Sequence, residues 1–171
     1  MNWERQLEEL ASHREDDYQK RLTRMTFDHP ENLLRQLRAY LARQADYHRL
    51  KRSAQPLRLE TSAGNVQELV CDEVEFESDS KLTFNIEMVE AQTAGWLVKR
   101  FKYQLQLPGR GIDMVRIHLN QEPGLNALKV PRCHLHLGSS EAHIPFPIMN
   151  PLLMVHLICE HIEPDVGKSN D

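Results

Sequence analysis

The sequence predicts an α+β fold: an antiparallel β-sheet meander with a C-terminal helix on its apolar face, preceded by an N-terminal helical hairpin. Three observations predict it. Apolar residues recur every three or four positions before residue 53, they alternate from Leu57 onward, and a nearly all-apolar segment begins at Pro151. Short turn sequences join the strands, which favours antiparallel neighbours. We therefore divide the chain into a helical arm, residues 1–53, and a sheet-and-helix domain, residues 54–171.

The helical arm contains two predicted helices. The first covers residues 2–25, where apolar side chains recur with helical spacing. The second begins near Pro30, because Asp28 can cap its first turn and Glu31 occupies the position of a capping-box acid. Its apolar face is formed by Leu33, Leu34, Leu37, Tyr40, Leu41 and Ala45. The rest of this helix is basic, so the arm is either a solvated layer on the sheet or a surface that binds a partner.

Seven strands are predicted after the arm, near residues 57–61, 66–77, 81–91, 96–107, 112–119, 131–137 and 142–147. Their alternation assigns one face of the sheet to the core. The other face is acidic on the early strands, and on the late strands it carries Arg100, Lys102, Gln104, Arg116, His118, Asn120, Arg132, His134 and His136.

The last two strands form a predicted hairpin. Residues 138–141 are a turn sequence, and in this register His136 faces His143. The preceding residues, 121–131, contain two prolines and one glycine and are predicted to be a loop. The final helix begins at Pro151 with Asn150 as its cap. Because it is apolar on nearly every side, we expect it to be buried on the apolar side of the sheet.

Composition narrows the class of protein. The 171 residues, with 40% hydrophobic and 27% charged side chains, are typical of a soluble globular chain. There is no membrane-spanning apolar run, the N-terminal segment is acidic and amphipathic, and the cysteines are scattered. We therefore expect a cytoplasmic protein without a membrane partner. Residues 54–171 carry 10 Lys and Arg against 16 Asp and Glu, which argues against indiscriminate nucleic-acid binding but allows a local basic patch.

Histidine concentrates in the last third of the chain, which holds six of the nine. One interpretation is a zinc-type site with His134, His136 and His143 as ligands. No carboxylate or cysteine completes a recognised ligand pattern, however, and Cys133 should point to the core.

A second interpretation is general acid–base catalysis, since histidine is the usual proton-transfer residue near neutral pH. The candidate catalytic residues are His118, His134, His136, His143 and Arg116, and the candidate substrate-binding residues are Arg100, Lys102, Arg132 and Asn120. This combination suits metal-independent cleavage of RNA, without a cofactor. A third interpretation is a solvated or recognition surface without catalysis. The sequence lacks a serine-nucleophile motif and a phosphate-binding glycine loop, which disfavours the common hydrolases and nucleotide-binding enzymes.

Residues 101–162 resemble the TumE-like toxins of bacterial toxin–antitoxin modules. The resemblance depends on the order of segments: the strand from Phe101, a glycine turn, a strand with Arg116 that ends at Asn120, the pair His134 and His136, then Glu141 and a C-terminal helix. The family strand carries Tyr-Asp-Asn after the arginine, whereas this chain has no acid there. The resemblance covers little more than a third of the chain and implies a bacterial cytosolic toxin-like or defence-associated protein that works with a partner.

Two functions of different classes follow from these observations. The first is a toxin-like or defence-associated ribonuclease that uses the histidine and arginine surface of the sheet, without a metal or with zinc. The second is a non-catalytic subunit of a bacterial defence or regulatory complex. In that case the N-terminal helices or the sheet face bind an antitoxin or another subunit.

Overall fold

The computed structural model describes residues 25–51, 56–62, 65–92, 95–120 and 132–163. The strands are β1 (Thr26–Phe27), β2 (Leu57–Thr61), β3 (Val66–Glu75), β4 (Lys81–Glu90), β5 (Trp96–Gln106), β6 (Met114–Leu119), β7 (Cys133–Leu137) and β8 (Ile144–Pro145). The helices are α1 (Pro30–Asp46) and α2 (Pro151–Leu157), and α2 continues into a π-helix (Ile158–Ile162).

The eight strands form one antiparallel sheet with the order β2-β3-β4-β5-β6-β7-β8. Each of these strands pairs with its neighbour in the sequence, because the turns between most of them are too short for a crossover. The predicted α+β class and the meander are therefore confirmed. Strand β8 is shorter than predicted, and β1, which pairs with the start of β5, was not predicted.

The N-terminal prediction is only partly supported. Its first helix falls in residues 2–25, of which all but Met25 lie outside the described residues, so the structure gives no support for a helical hairpin. The second helix is present as α1. Its cap is His29 and not Asp28, because Pro30 occupies the first helical position and the cap is the residue before it. The Nδ1 atom of His29 accepts a hydrogen bond from the backbone N–H of Glu31 at 3.3 Å.

The core lies between the apolar face of the sheet and the helices. Leu33 and Leu37 of α1, Ile86 of β4 and Met154 of α2 are fully buried in a single cluster. Helix α2 is more one-sided than its sequence suggests, since Leu153 is 52% exposed. Met154 and Val155 are buried, so the helix lies on the apolar side of the sheet as expected, while its outer side stays in solvent.

A polar network joins α1 to the C-terminal helical segment. The hydroxyl of Tyr40 and Nδ1 of His156 are 3.1 Å apart, and Nε2 of Gln44 donates to Oε1 of Glu160 at 2.8 Å. Arg49 forms an ion pair with the same carboxylate. His156 and Glu160 therefore both contact residues on the α1 side. In the described part of the chain, no helix is long and apolar enough to cross a membrane.

Candidate metal centre

Strand register arranges the polar face of β5, β6 and β7 in three cross-strand rows. The rows are Lys102–His118–His134, Gln104–Arg116–His136 and Arg100–Asn120–Arg132. Because side chains alternate along each strand, all nine lie on the face opposite the core. The structure therefore brings together the residues that alternation assigned to this face.

Four imidazoles meet at the centre of this arrangement, and we call His118, His134, His136 and His143 the histidine cluster. The ring centroid of His118 lies 5.4 Å from that of His134 and 5.3 Å from that of His136. The rings of His134 and His136 are 4.9 Å apart. His143 closes the cluster from the other side of β7, at 4.7 Å from His134 and 4.6 Å from His136.

The hairpin after β7 positions His143. Its register pairs His134 with Pro145 and Leu135 with Ile144, which continues to place His136 opposite His143. This is the predicted register. The turn begins at Gly138, whose φ of +58° lies in the left-handed region that glycine adopts easily.

The cluster is partly shielded from solvent. His134 is 2% exposed and His136 is 8% exposed, whereas His118 and His143 are half-buried. Nδ1 of His136 lies 3.4 Å from the backbone oxygen of Ser140. Nε2 of His118 is buried and has no hydrogen-bond partner within the described residues. A buried polar atom without a partner is costly, which makes this nitrogen a candidate for a ligand contact.

Burial and nearby charges favour the neutral imidazole. Burial is the main cause that lowers the pKa of His118 to about 4, and the neighbouring His134, His136, Lys102 and Arg116 act in the same direction. Burial also lowers the pKa of His136, and this effect outweighs the contact with the Ser140 carbonyl, which acts the other way. Neutral imidazole is the form that binds metal ions.

Three of these residues offer converging ligand atoms. One ring nitrogen from each of His118, His134 and His136 lies within 4.8 Å of the other two. Tetrahedral zinc with Zn–N bonds of about 2.0–2.1 Å requires N···N separations of about 3.3–3.4 Å. The present upper limit of 4.8 Å is therefore wider than the spacing around a bound zinc ion. The ligand set differs from the predicted one: His118 takes the place of His143, because the pairing of β6 with β7 puts His118 directly opposite His134.

Cysteine does not contribute to this centre. Cys133 is fully buried on the core side of β7, as predicted, and burial raises the pKa of its thiol to about 12. A protonated thiol facing the core is a poor metal ligand.

Cationic side chains surround the histidine cluster. Nη2 of Arg116 lies 3.4 Å from the Gly138 carbonyl oxygen, and its buried Nε has no partner in the described part of the chain. Arg132 is buried, and its Nε donates to the backbone oxygen of Asn120 at 3.1 Å. Because neutral imidazoles carry no compensating charge, the field at the cluster favours anions.

A cleft of about 240 Å³ adjoins His118 on the side away from β7. It is lined by Asn85, Glu87, Arg100, Phe101, Lys102, His118, Leu119 and Asn120. Sequence reasoning did not assign Asn85 and Glu87 to the site. Alternation along β4 could have indicated them, because Asn85 and Glu87 lie on the same polar face of the sheet as the candidate residues of β5. Asn85 pairs with Lys102, and Glu87 pairs with Arg100.

A larger cleft of about 420 Å³ lies beside α1 and β2, away from the histidine cluster. Its lining is mostly aliphatic and contains Arg38, Asp46 and Lys51 but no histidine or cysteine. It therefore offers no imidazole or thiolate ligand for a metal ion, and the smaller cleft beside His118 is the one associated with candidate chemistry.

Comparisons with protein-family models, with curated proteins and with solved structures found no match for this chain. The resemblance of residues 101–162 to the TumE-like toxins is therefore untested and stays a prediction.

Proposed function

We propose that the chain binds a divalent transition metal ion, with zinc as the best match, through His118, His134 and His136. The observation that carries this proposal is the convergence of their three ring nitrogens within 4.8 Å on two paired strands. The buried Nε2 of His118, which has no partner among the described residues, adds to it. Imidazole ligands suit zinc, and a set without carboxylate or thiolate disfavours calcium and magnesium.

Three ligands leave one position of a tetrahedral ion open. His143 is close to the rings of His134 and His136, but its nitrogens are not part of the convergent group. Three protein ligands with a fourth position for water or substrate are typical of catalytic zinc sites, whereas structural sites have four protein ligands. We therefore propose a hydrolytic role, in which an ion held by these three histidines would supply an activated water molecule or polarise a substrate oxygen.

The metal-independent ribonuclease is the alternative, and it stays a prediction. Acid–base cleavage needs one imidazole that is charged and another that is neutral at the working pH. Rings at centroid distances of 4.6 to 5.4 Å, two of them buried, disfavour a charged imidazole within the cluster. Burial favours the neutral form of His118 and His136, which is the form that binds a metal ion.

Zinc binding to single-histidine variants tests the proposal. Competition with a chromophoric chelator should show one zinc ion per wild-type chain and a loss of affinity of about 100-fold or more in His118→Asn. The matched control is His161→Asn, because His161 is exposed on the π-helix. An unchanged zinc affinity in His118→Asn, with the fold intact by circular dichroism, would exclude this ligand set.

The geometry of the open position has its own test. Cobalt(II) in place of zinc should give the intense visible absorption of a tetrahedral ion, and the spectrum should change when anions are added. His143→Asn should retain this spectrum, because His143 is not one of the three proposed ligands. Loss of the tetrahedral spectrum in His143→Asn would instead show a closed, four-histidine site.

Cleavage of an RNA pool separates the two candidate activities. Under the present proposal, hydrolysis is lost in a chelator and restored by zinc. Activity that persists in the chelator and disappears in His134→Ala would favour the metal-independent ribonuclease. The toxin-like context, the antitoxin or complex partner and the non-catalytic alternative stay predictions.

A further inference from the structure

We infer that the cleft beside His118 binds the phosphate group of the substrate, with Lys102 as its anchoring cation. This inference rests on the proposed metal site, because the phosphate would lie between Lys102 and the ion. Its starting observation is that His118 belongs both to the convergent ligand group and to the lining of the cleft.

The position of Lys102 follows from strand pairing. It lies directly opposite His118 on β5, whereas His134 lies opposite His118 on β7. Strand β7, which carries the other two proposed ligands, and the cleft therefore lie on opposite sides of His118. An anion held by Lys102 would enter the coordination sphere from the side that the other two proposed ligands leave open.

Lys102 is the cation of the cleft that is available for a ligand. Arg100 lies on the same strand, but its Nη2 is 2.6 Å from a carboxylate oxygen of Glu87, which offsets its charge. Lys102 is exposed and has no ion pair with a carboxylate in the described part of the chain.

The donors favour phosphate over carboxylate. The Lys102 ammonium group, the side-chain amide of Asn120 and the metal ion offer three separate contacts around one cleft. A tetrahedral phosphate has enough oxygens to accept from all three, whereas a carboxylate has two oxygens. The volume of about 240 Å³ is below the roughly 300–1,000 Å³ of pockets that enclose a whole ligand, so the cleft fits one end group of a substrate.

Calorimetric titration of the zinc-loaded protein with inorganic phosphate tests the inference. Lys102→Gln should weaken phosphate binding by about tenfold, the loss expected for one charge-assisted contact. Lys81→Gln is the matched control, because Lys81 is on the same face of β4 but pairs with Glu73 at 3.0 Å. The control should bind phosphate as the wild type does, and both variants should retain the zinc affinity and melting temperature of the wild type.

The outcomes separate the two proposals. Zinc binding with no phosphate binding, or with equal phosphate affinity in Lys102→Gln and wild type, overturns the phosphate site and leaves the metal site standing. If phosphate and acetate bind with equal affinity, the cleft does not select phosphate. If phosphate binds with the same affinity in the absence of zinc, it does not lie between Lys102 and the ion. Failure of zinc to bind overturns both proposals.

Discussion

His118 is the residue on which the proposed metal site depends most. It is the ligand that β6 contributes, whereas His134 and His136 come together on β7. Removing it would leave two ligands on one strand, which is too few for a stable zinc site. The positively charged side chains of Lys102 and Arg116 are its neighbours and would attract an anion. A bound anion would therefore meet the proposed metal ion at His118.

Two glycines allow a prediction about backbone strain. Gly95 and Gly109 both have positive φ, +82° and +73°, but a Cβ atom at Gly95 would lie 2.7 Å from the backbone oxygen of Phe27, whereas at Gly109 it would meet nothing within 4 Å. Gly109→Ala should destabilise by about 1 kcal/mol from the left-handed backbone alone. Gly95→Ala should destabilise by about 2–3 kcal/mol, since strand β1 must also move. Urea unfolding measures both, and equal losses would mean that β1 does not lie against Gly95.

The sequence predicted most residues of the candidate site but not which three histidines have converging ring nitrogens. Alternation alone placed His134 and His136 together, and a four-residue turn fixed the position of His143. The place of His118 depends on the register between β6 and β7. The connection between these strands is long, and a long loop does not determine register as a tight turn does.

At the scale of elements, the outward side of α2 provides a test of helix packing. Met154 is fully buried and its neighbour Leu153 is 52% exposed. Met154→Ala should destabilise by about 2–5 kcal/mol through the cavity that it leaves, and Leu153→Ala by less than about 0.5 kcal/mol. Similar melting temperatures for the two variants would contradict the orientation of α2. The sequence does not predict which side of α2 faces the core, because apolar residues occur on nearly every side of this helix.

The contact of the π-helix with α1 predicts a dependence of stability on pH. Burial raises the pKa of Glu160, but the hydrogen bonds from Gln44 and Arg49 outweigh it and the net shift is downward. The carboxylate therefore stabilises the fold above the unfolded pKa of about 4.3, and this contribution is lost as the pH falls through the lower folded pKa. Glu160→Gln should destabilise by about 1 kcal/mol at pH 7, a modest value because the pair is partly solvated.

The control for this prediction is Glu141→Gln, since Glu141 is exposed and lies between β7 and β8. Urea unfolding at pH 7 and at pH 3 should show that the difference between wild type and Glu160→Gln becomes smaller in acid. A difference of the same size at both pH values would show that the carboxylate charge does not cause it.

At the scale of the whole molecule, the strand order predicts which backbone amides exchange fastest with solvent. Strands β4 and β5 have a partner along both sides, whereas β2 ends the strand order and β8 pairs through two residues. Amides of β4 and β5 should exchange most slowly with deuterium, and those of β2 and β8 should exchange fastest. Equal exchange rates across the sheet, measured by mass spectrometry, would contradict the central position of β4 and β5.

The overall architecture was the most predictable level. Turn sequences and alternating faces determine a meander almost completely, because each strand needs only its neighbour in the sequence. The acidic early strands and the basic late strands of the polar face were also visible in the sequence. The short β1 was not, since a two-residue strand carries no periodic signal.

The sequential strand order also has a consequence for the order of folding. Most neighbouring strands close short loops, and the connection from β6 to β7 is still far shorter than 116 residues, so the sheet can grow one strand at a time. The contacts of Tyr40 with His156 and of Gln44 with Glu160 join positions 116 residues apart and carry a larger entropic cost of closure. We expect the histidine cluster to assemble with the hairpins, before the helices close over the core. Zinc added during refolding would then accelerate the early phase and leave the later closure unchanged.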